Sequence, residues 1–434
     1  VSTETKDGFG VNDKLDFYDY ERETSLPDKR KRDLEERLSE IVTYAYEHSA
    51  ATRKRFDSQA ILPHDIRHLE DLEKLSTLNK NDIARIQADD PPFGGMAGID
   101  PGAVRRIYIS PGPLYEPGGR IYEDTGWVQA FRAIGVDAGD IALNTFSYHL
   151  TLFGFWLDDS LNKIGATVIP SGPGNTTTQV DLMVNLKVTT YLGTPSFLLS
   201  LLEKTESLGY SVKEDLCLKY GFVSAEMLPE SLREKLENAF GMILLQSYGT
   251  ADIGCLGFEC NGRCGMHVPE DVIVEILDPE TGQPVPEGEM GEIVATTFSK
   301  QYPLIRFGTG DLSYLINESC VCGRTSPRLG RILGRVDQLT KVRGMFIHPS
   351  QISEATQGFP EIERCQLIVE RHEHKDQITL FAKLAAEGID QDHLKIRLES
   401  TLKDIVKLRI EVSFCEASDF GDSDKMIVDR RKWD

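Results

Sequence analysis

A short glycine-rich run ending in an acid is the first place where this sequence could do chemistry. In PLIRFGTGDLSYL, residues 303–315, a strand leads to Arg306, Gly308 and Gly310 permit a sharp turn, and Asp311 is presented at its end. A carboxylate so placed can accept both hydrogen bonds of a ribose diol; a plain hairpin with a solvated Asp has the same local pattern. A little further on, LGRVDQLTKVRGMFIHPSQISE brings together Arg335, Asp337, Lys341, Arg343, Gly344 and Pro349. By itself this is an ordinary basic linker, and its order after Asp311 is what makes the pair specific. A third group is made of soft donors. CLGFECNGRCGMH and ESCVCGR supply Cys255, Cys260, Cys264, His267, Cys320 and Cys322. A Cys-x-Cys pair with an upstream Cys and His makes four N/S ligands for a tetrahedral Zn²⁺, and thiolate and imidazole select zinc over Mg²⁺ or Ca²⁺. The chosen set is Cys260, His267, Cys320 and Cys322, with Cys255 and Cys264 as rivals; reduced core cysteines are the plain alternative.

These residues need elements to hold them. The stretch from Asp28 to Phe56 reads as one long amphipathic helix, with Leu34, Leu38, Ile41, Val42 and Tyr46 near helical spacing. LEDLEKLSTLNKNDIARI reads as a short helix, a turn and a second helix. From about residue 105, RRIYIS is a strand that enters SPGPLYEPGG, a Gly/Pro loop. Five β runs (DIALNTF, GATVIP, TTYLGTP, LKYGFVS, ILLQSYG) then alternate with helical stretches, which predicts a parallel or mixed sheet. VIVEILDPETGQPVPEGEMGEIVATTF predicts an antiparallel β subdomain. The expected fold class is α/β: a large multi-layer N-terminal domain, residues 1–334, with mixed sheets and a β subdomain. A hinge joins it to a small α+β C-terminal domain, residues 335–434.

Composition narrows the partners. Apolar residues make up 40% and charged residues 27%, the balance of a folded chain rather than a disordered one. Lys and Arg total 48 against 69 Asp and Glu, a net charge of −21, which repels phosphate backbones and argues against nucleic acid. No apolar run is long enough to span a bilayer, so no membrane partner is expected. The polar start, VSTETKDGFG, has no signal-type segment. The chain reads as cytoplasmic, where its eight cysteines stay reduced.

The RFGTGD segment resembles the Arg-Thr-Gly-Asp motif of the adenylate-forming enzymes, and GRVDQLTKVRG resembles their hinge motif. PLIRFGTGDL, MFIHPSQI, GATVIPSGPGNT, GTPSFLLSLLE, SAEMLPESLREKLENAFG and SYGTADIG are closest to the phenylacetate–CoA ligase branch, in order along nearly the whole chain. The resemblance implies an AMP-forming ligase that uses ATP, Mg²⁺ and coenzyme A on a small, aromatic carboxylic acid, often as a homodimer, with a structural Zn²⁺ near ECNGRCGMHVPED. It places Asp311 on the ribose hydroxyls with Arg335 beside them, and Tyr248 of SYGTAD on the adenine. Gly249 and Thr250 continue that nucleotide-binding stretch, and Ser224, Ala225 and Glu226 line the adenine pocket. Asp337 is the hinge, and Lys341, Arg343 and Gly344 border the coenzyme A channel. The acyl pocket is expected around NTFSYHLTLFGFW, with Phe146, Tyr148, His149 and Trp156 as candidates; core packing is the alternative for each.

Three departures touch the ATP chemistry. The resemblance implies a Ser/Thr/Gly loop ending in Lys for the terminal phosphates, where this chain has SPGPLYEPGG, with Glu116 near the expected Lys. Asp252 stands where a metal-binding Glu is expected, with a shorter reach toward Mg²⁺. In the tail DSDKMIVDRR, Asp422-Ser423 falls where Gly-Lys is expected, leaving Lys425 as the nearest catalytic lysine. The expected function is therefore a divergent acyl-CoA ligase; the alternative is an adenylation-deficient homologue that binds nucleotide or acyl-CoA as a non-catalytic module.

Overall fold

The structure is a computed structural model. It describes residues 16–110, 113–279, 281–336, 340–342, 345–347, 349–372, 375–386, 388–415, 420 and 425–431. Asp337, Arg343 and Gly344 lie outside the described residues, as do Asp422 and Ser423.

The five β runs form a mixed sheet of nine strands. Thr167–Pro170, Ile141–Asn144, Thr190–Gly193, Tyr220–Val223 and Ile243–Thr250 pair in parallel. Gly254–Phe258, Met266–His267, Arg328–Leu329 and Leu315–Ile316 extend the sheet antiparallel from the last of these. Alternate side chains serve opposite layers, as the two-residue strand period demands. Leu143, Tyr191 and Leu244 join Met183, Leu198 and Leu236 from the helices Thr176–Asn185, Pro195–Ser207 and Glu230–Phe240. Ala142, Leu192 and Leu245 face Phe131 and Leu157 from Trp127–Ile134 and Phe153–Ile164. Burial on both faces is why these strands read as apolar runs rather than as alternation.

The antiparallel prediction for VIVEIL and GEIVATT holds: Val272–Leu277 and Gly291–Thr297 pair, and Phe307–Ser313 and Gly334–Arg335 complete a four-stranded sheet. The turn expected before Asp311 does not form. Phe307–Ser313 is a single strand, Gly310 takes φ +75° within it, and the register shifts opposite Glu292 and Val294. Asp311 is therefore held in mid-strand, cross-paired with Arg335. Arg306 is likewise not a ligand-facing group. It is buried, ion-paired with Glu275, and donates to Leu75 O at 2.7 Å.

Two further readings change. The long helix is two, Pro27–His48 and Ala50–Ser58, because Ser49 breaks the first and its hydroxyl caps the second, accepting from Thr52 N at 3.2 Å. The Gly/Pro loop is a hairpin instead, with Val104–Ser110 paired to Leu114–Gly119. The C-terminal part is α+β, as expected. Lys375–Leu384 and Ile362–His372 pair antiparallel, flanked in parallel by Glu411–Phe414 and Ile427–Asp429. Helix Gln391–Val406 buries Leu394, Leu398, Leu402 and Val406, a four-residue stripe, against this sheet in a core of its own. Among the described residues no helix is long and apolar enough to cross a membrane.

Candidate active site

The mixed sheet's central strand Ile243–Thr250 and the four-stranded sheet meet at three side chains. Tyr248 Oη donates to Asp311 Oδ2 at 2.8 Å, and Arg335 Nη1 reaches Asp311 Oδ1 at 2.8 Å. Thr309 Oγ1 also accepts from Asp311 N at 3.1 Å, which fixes the backbone beneath the carboxylate. Burial first, and then the Asp311 charge, hold the Tyr248 hydroxyl well above its ordinary pKa, so it remains a neutral donor. Gly249 is required beside it: a Cβ there would lie 2.4 Å from Gly254 O and 2.8 Å from the Trp127 ring. The Thr250 hydroxyl accepts from Ile253 N at 3.2 Å and shapes the turn that follows.

The strand Tyr220–Val223 ends in the segment that carries Ser224, Ala225 and Glu226. Ser224 Oγ donates to Ser247 O at 3.0 Å, which ties the segment to the strand of Tyr248. Ala225 takes φ +72°, an uncommon conformation for a residue with a Cβ. Glu226 accepts from Ser196 Oγ at 2.9 Å, and burial raises its pKa, helped by Asp376.

Asp252 follows Tyr248 on the same run. It is buried, with Oδ2 2.8 Å from Lys80 Nζ. Glu116, only 2% exposed on the hairpin, lies beside it and accepts from Ser110 Oγ at 3.1 Å. Glu116 Oε2 and Asp252 Oδ1 find no donor when both acids are ionised. Burial and the Asp252 charge push the Glu116 pKa well up. Glu116 Oε2 and Asp252 Oδ1 are hard oxygen donors of the kind Mg²⁺ takes, while Lys80 holds the other Asp252 oxygen. Sequence reasoning missed Lys80: a lone lysine opening a helix carries no signal until the fold brings residues 80, 116 and 252 together.

Glu116 and Asp252 line a cleft together with Tyr108, Leu152, Phe155 and Trp156. Arg106 stacks over Phe155 with 4.8 Å to the ring centroid. Of the expected acyl-pocket residues, Trp156 lines this cleft. Phe146 packs edge-on against Phe153 in the core, the Tyr148 hydroxyl is taken by Asn144 at 2.8 Å, and His149 is exposed. Lys425 lines a different cleft, on the C-terminal sheet, with Thr356, Arg364, Cys365, Gln366 and Met426. No member of the Asp311 or Asp252 groups borders that one. The backbone of Lys341 lies in the strand Thr340–Val342.

The ligand atoms of Cys260, His267, Cys320 and Cys322 all lie within 4.8 Å of one another. Cys260 Sγ is 3.5 Å from Cys320 Sγ, and Cys322 Sγ is 3.4 Å from His267 Nε2. His267 Nδ1 faces Ser326 Oγ at 3.2 Å, which turns Nε2 toward the thiols, and burial lowers its pKa and favours the neutral ring a metal needs. Cys264 Sγ approaches Cys320 Sγ at 3.6 Å but is exposed, and Cys255 is buried beside Gly126, outside the cluster.

The family model described as AMP-binding enzyme matches residues 152–298. A phenylacetate–coenzyme A ligase of Thermus thermophilus is 32% identical over 428 residues, covering 92% of this chain and 95% of the relative. The enzyme of the same name from Escherichia coli is 30% identical, covering 88% of each. Among solved structures, a 2-hydroxyisobutyryl-CoA ligase with 2-HIB-AMP and CoA, in its thioesterification state, overlays with a TM-score of 0.86 at 22% identity, covering 96% of this chain and 93% of that one. An open conformation of that ligase overlays with a TM-score of 0.72, covering 95% and 94%. The motifs, the mixed α/β fold and relatives spanning nearly the whole chain agree: the chain belongs to the phenylacetate–CoA ligases, acyl-CoA ligases of the adenylate-forming family.

Proposed function

We propose that this chain carries a small, aromatic carboxylic acid to coenzyme A by way of an acyl adenylate. The observation that supports this most is the meeting of Tyr248, Asp311 and Arg335 from three elements. A buried carboxylate between a neutral phenol and a guanidinium is pre-oriented to accept from a ribose diol. The Arg335 charge beside it also suits the single phosphate of an adenylate. Ser224, Ala225 and Glu226 are the residues we assign to the adenine. Tyr108, Phe155 and Trp156 give the neighbouring cleft an aromatic wall suited to an aryl group. A domain boundary at 334/335, a hinge at Asp337 and a coenzyme A channel at Lys341, Arg343 and Gly344 belong to the same proposal, as does Lys425 as the lysine of the adenylation step.

A structural Zn²⁺ completes the reading. Three thiols and one imidazole within a sphere of this size suit its tetrahedral preference. All four positions are protein donors, so the ion would serve as a cross-link between residues 260–267 and 320–322.

The test is calorimetry with AMP on the wild type and on Asp311→Ala. Hydrogen bonds to a charged group contribute about 1.5–3 kcal/mol each, so the variant is expected to bind AMP at least about tenfold more weakly. Equal affinities would remove Asp311 from the site and the proposal with it.

A further inference from the structure

The cysteine cluster holds one thiol more than a tetrahedral ion can use. Cys264 Sγ is 3.6 Å from Cys320 Sγ, close to the 3.5 Å between Cys320 and Cys260. Four donors fill a tetrahedral site, and Cys260, His267, Cys320 and Cys322 are the four that converge. Cys264 stands outside that set and is exposed, whereas Cys260, His267 and Cys320 are buried. The spare thiol is the one that faces water.

Its backbone is fixed against the segment that carries Cys320. Arg328, only 3% exposed, donates to Cys264 O through Nη1 and to Glu318 O through Nη2, the latter at 2.8 Å. One buried guanidinium thus ties the chain at Cys264 to the chain just before Cys320. Arg263 and Gly265 on either side take φ +49° and +108°, and Arg263 N donates to Cys260 O at 2.9 Å, so the chain turns tightly there. A disulfide holds its sulfurs about 2.0 Å apart, and Cys264 and Cys320 have only a short gap left to close. The strand Met266–His267 beside them pairs with Gly254–Phe258, which pairs with the strand of Tyr248.

We propose that Cys264 is an oxidation site: hydrogen peroxide converts it, with Cys320, into a disulfide that replaces the metal as the cross-link between residues 260–267 and 320–322. The proposal rests on the reading of the cluster as a zinc site. The exposed Cys264 sulfur attacks one peroxide oxygen. The S–O bond forms, the O–O bond breaks, and the departing hydroxide leaves as water with the thiol proton. The Cys320 thiolate then attacks the Cys264 sulfur. The S–S bond forms, the S–O bond breaks, and a hydroxide ion is released. Two electrons pass from the two sulfurs to the peroxide. Cys320 then has no thiolate to offer, and three of the four converging donors remain, one short of a tetrahedral set. Metal and disulfide are alternatives because both need the same sulfur.

Zinc release from the full chain under hydrogen peroxide tests this, followed with a chromogenic chelator, with disulfides mapped by peptide mass spectrometry. The wild type is expected to lose its zinc and to yield a peptide joined through Cys264 and Cys320; a thiol reductant with added zinc is expected to restore the metal. Cys264→Ser is expected to keep its zinc and to release it at least about tenfold more slowly, because the accessible sulfur is gone. Cys217→Ser, which removes an exposed thiol outside the cluster, is expected to match the wild type. Equal release rates in Cys264→Ser and wild type, or a disulfide between two of the four converging residues instead, would overturn the proposal. So would a Cys264→Ser protein that holds no zinc, since Cys264 would then be a ligand. A wild type without zinc, even when purified with the metal present, would overturn the zinc reading. The joined peptide then decides the oxidation site by itself, its presence in favour and its absence against.

Discussion

Asp311 owes its readiness to neighbours on other strands, and the same holds for acids outside the site. Asp124 is one of these. Burial, with Asp271 adding to it, raises its pKa to about 6, and it accepts from Gly126 N at 2.9 Å. A folded-state pKa above the unfolded value means that the folded chain holds this proton more tightly. The contribution to stability is then full below about 4 and lost as pH rises through about 6. Melting temperatures of wild type and Asp124→Asn across pH 4–8 check this: the variant is expected to lose that part of the decline. Some residues could be picked out in the sequence because they sit in short motifs. Asp311 and Arg335 are two of these, and the structure brings them into contact. Lys80, Glu116 and Asp252 were not legible as a group, because their relation exists only across three distant segments. His149 was overread: sitting among aromatics in sequence says nothing about which way a loop residue faces.

At the scale of elements, strands buried on both faces announced themselves as apolar runs, and five of them were found in that way. The second arm of the hairpin, Leu114–Gly119, was read as a loop because Gly and Pro mark turns, while its placement depends on partners such as Gln87 and Gln301 far along the chain. The cysteine cluster lay between these extremes. The four residues chosen from the sequence, Cys260, His267, Cys320 and Cys322, are the ones the structure brings together, and sheet geometry is the reason: residues Met266–His267 pair with Arg328–Leu329, a few positions past Cys322. Purified protein is expected to contain about one zinc per chain by elemental analysis. Cys322→Ser should lose it and melt at a lower temperature, because the ion binds only the folded arrangement. Metal-free wild type with the same melting temperature would return these residues to ordinary core packing.

Across the whole molecule, the C-terminal sheet contacts the rest at its hairpin end. Lys375 pairs with Glu203 at 3.0 Å, but both side chains are more than half exposed, so Lys375→Ala is expected to leave urea unfolding unchanged. Asp376 beside it is different. It is buried between Arg371 at 2.7 Å and Arg431 at 2.9 Å. Taking away one member of a buried ionic group leaves uncompensated charge, so Asp376→Ala is expected to cost roughly 3–5 kcal/mol in the same measurement. The alternation of strands and helices made the fold class readable from sequence. The contact between the C-terminal hairpin and helix Pro195–Ser207 was not, since neither segment carries a periodic signal for the other.

Tyr248, Asp311 and Arg335 come from three strands and two sheets, so the pocket they make exists only when both sheets are complete. A ligand held there acts as a fastener for the whole fold, and its free energy is added to the balance between native and unfolded chains. At a hundredfold excess over its dissociation constant AMP should contribute about 2.7 kcal/mol. The melting temperature should then climb with AMP concentration in the wild type and need about ten times more AMP for the same climb in Asp311→Ala, which makes a simple thermal scan a readout of occupancy without any knowledge of the acid.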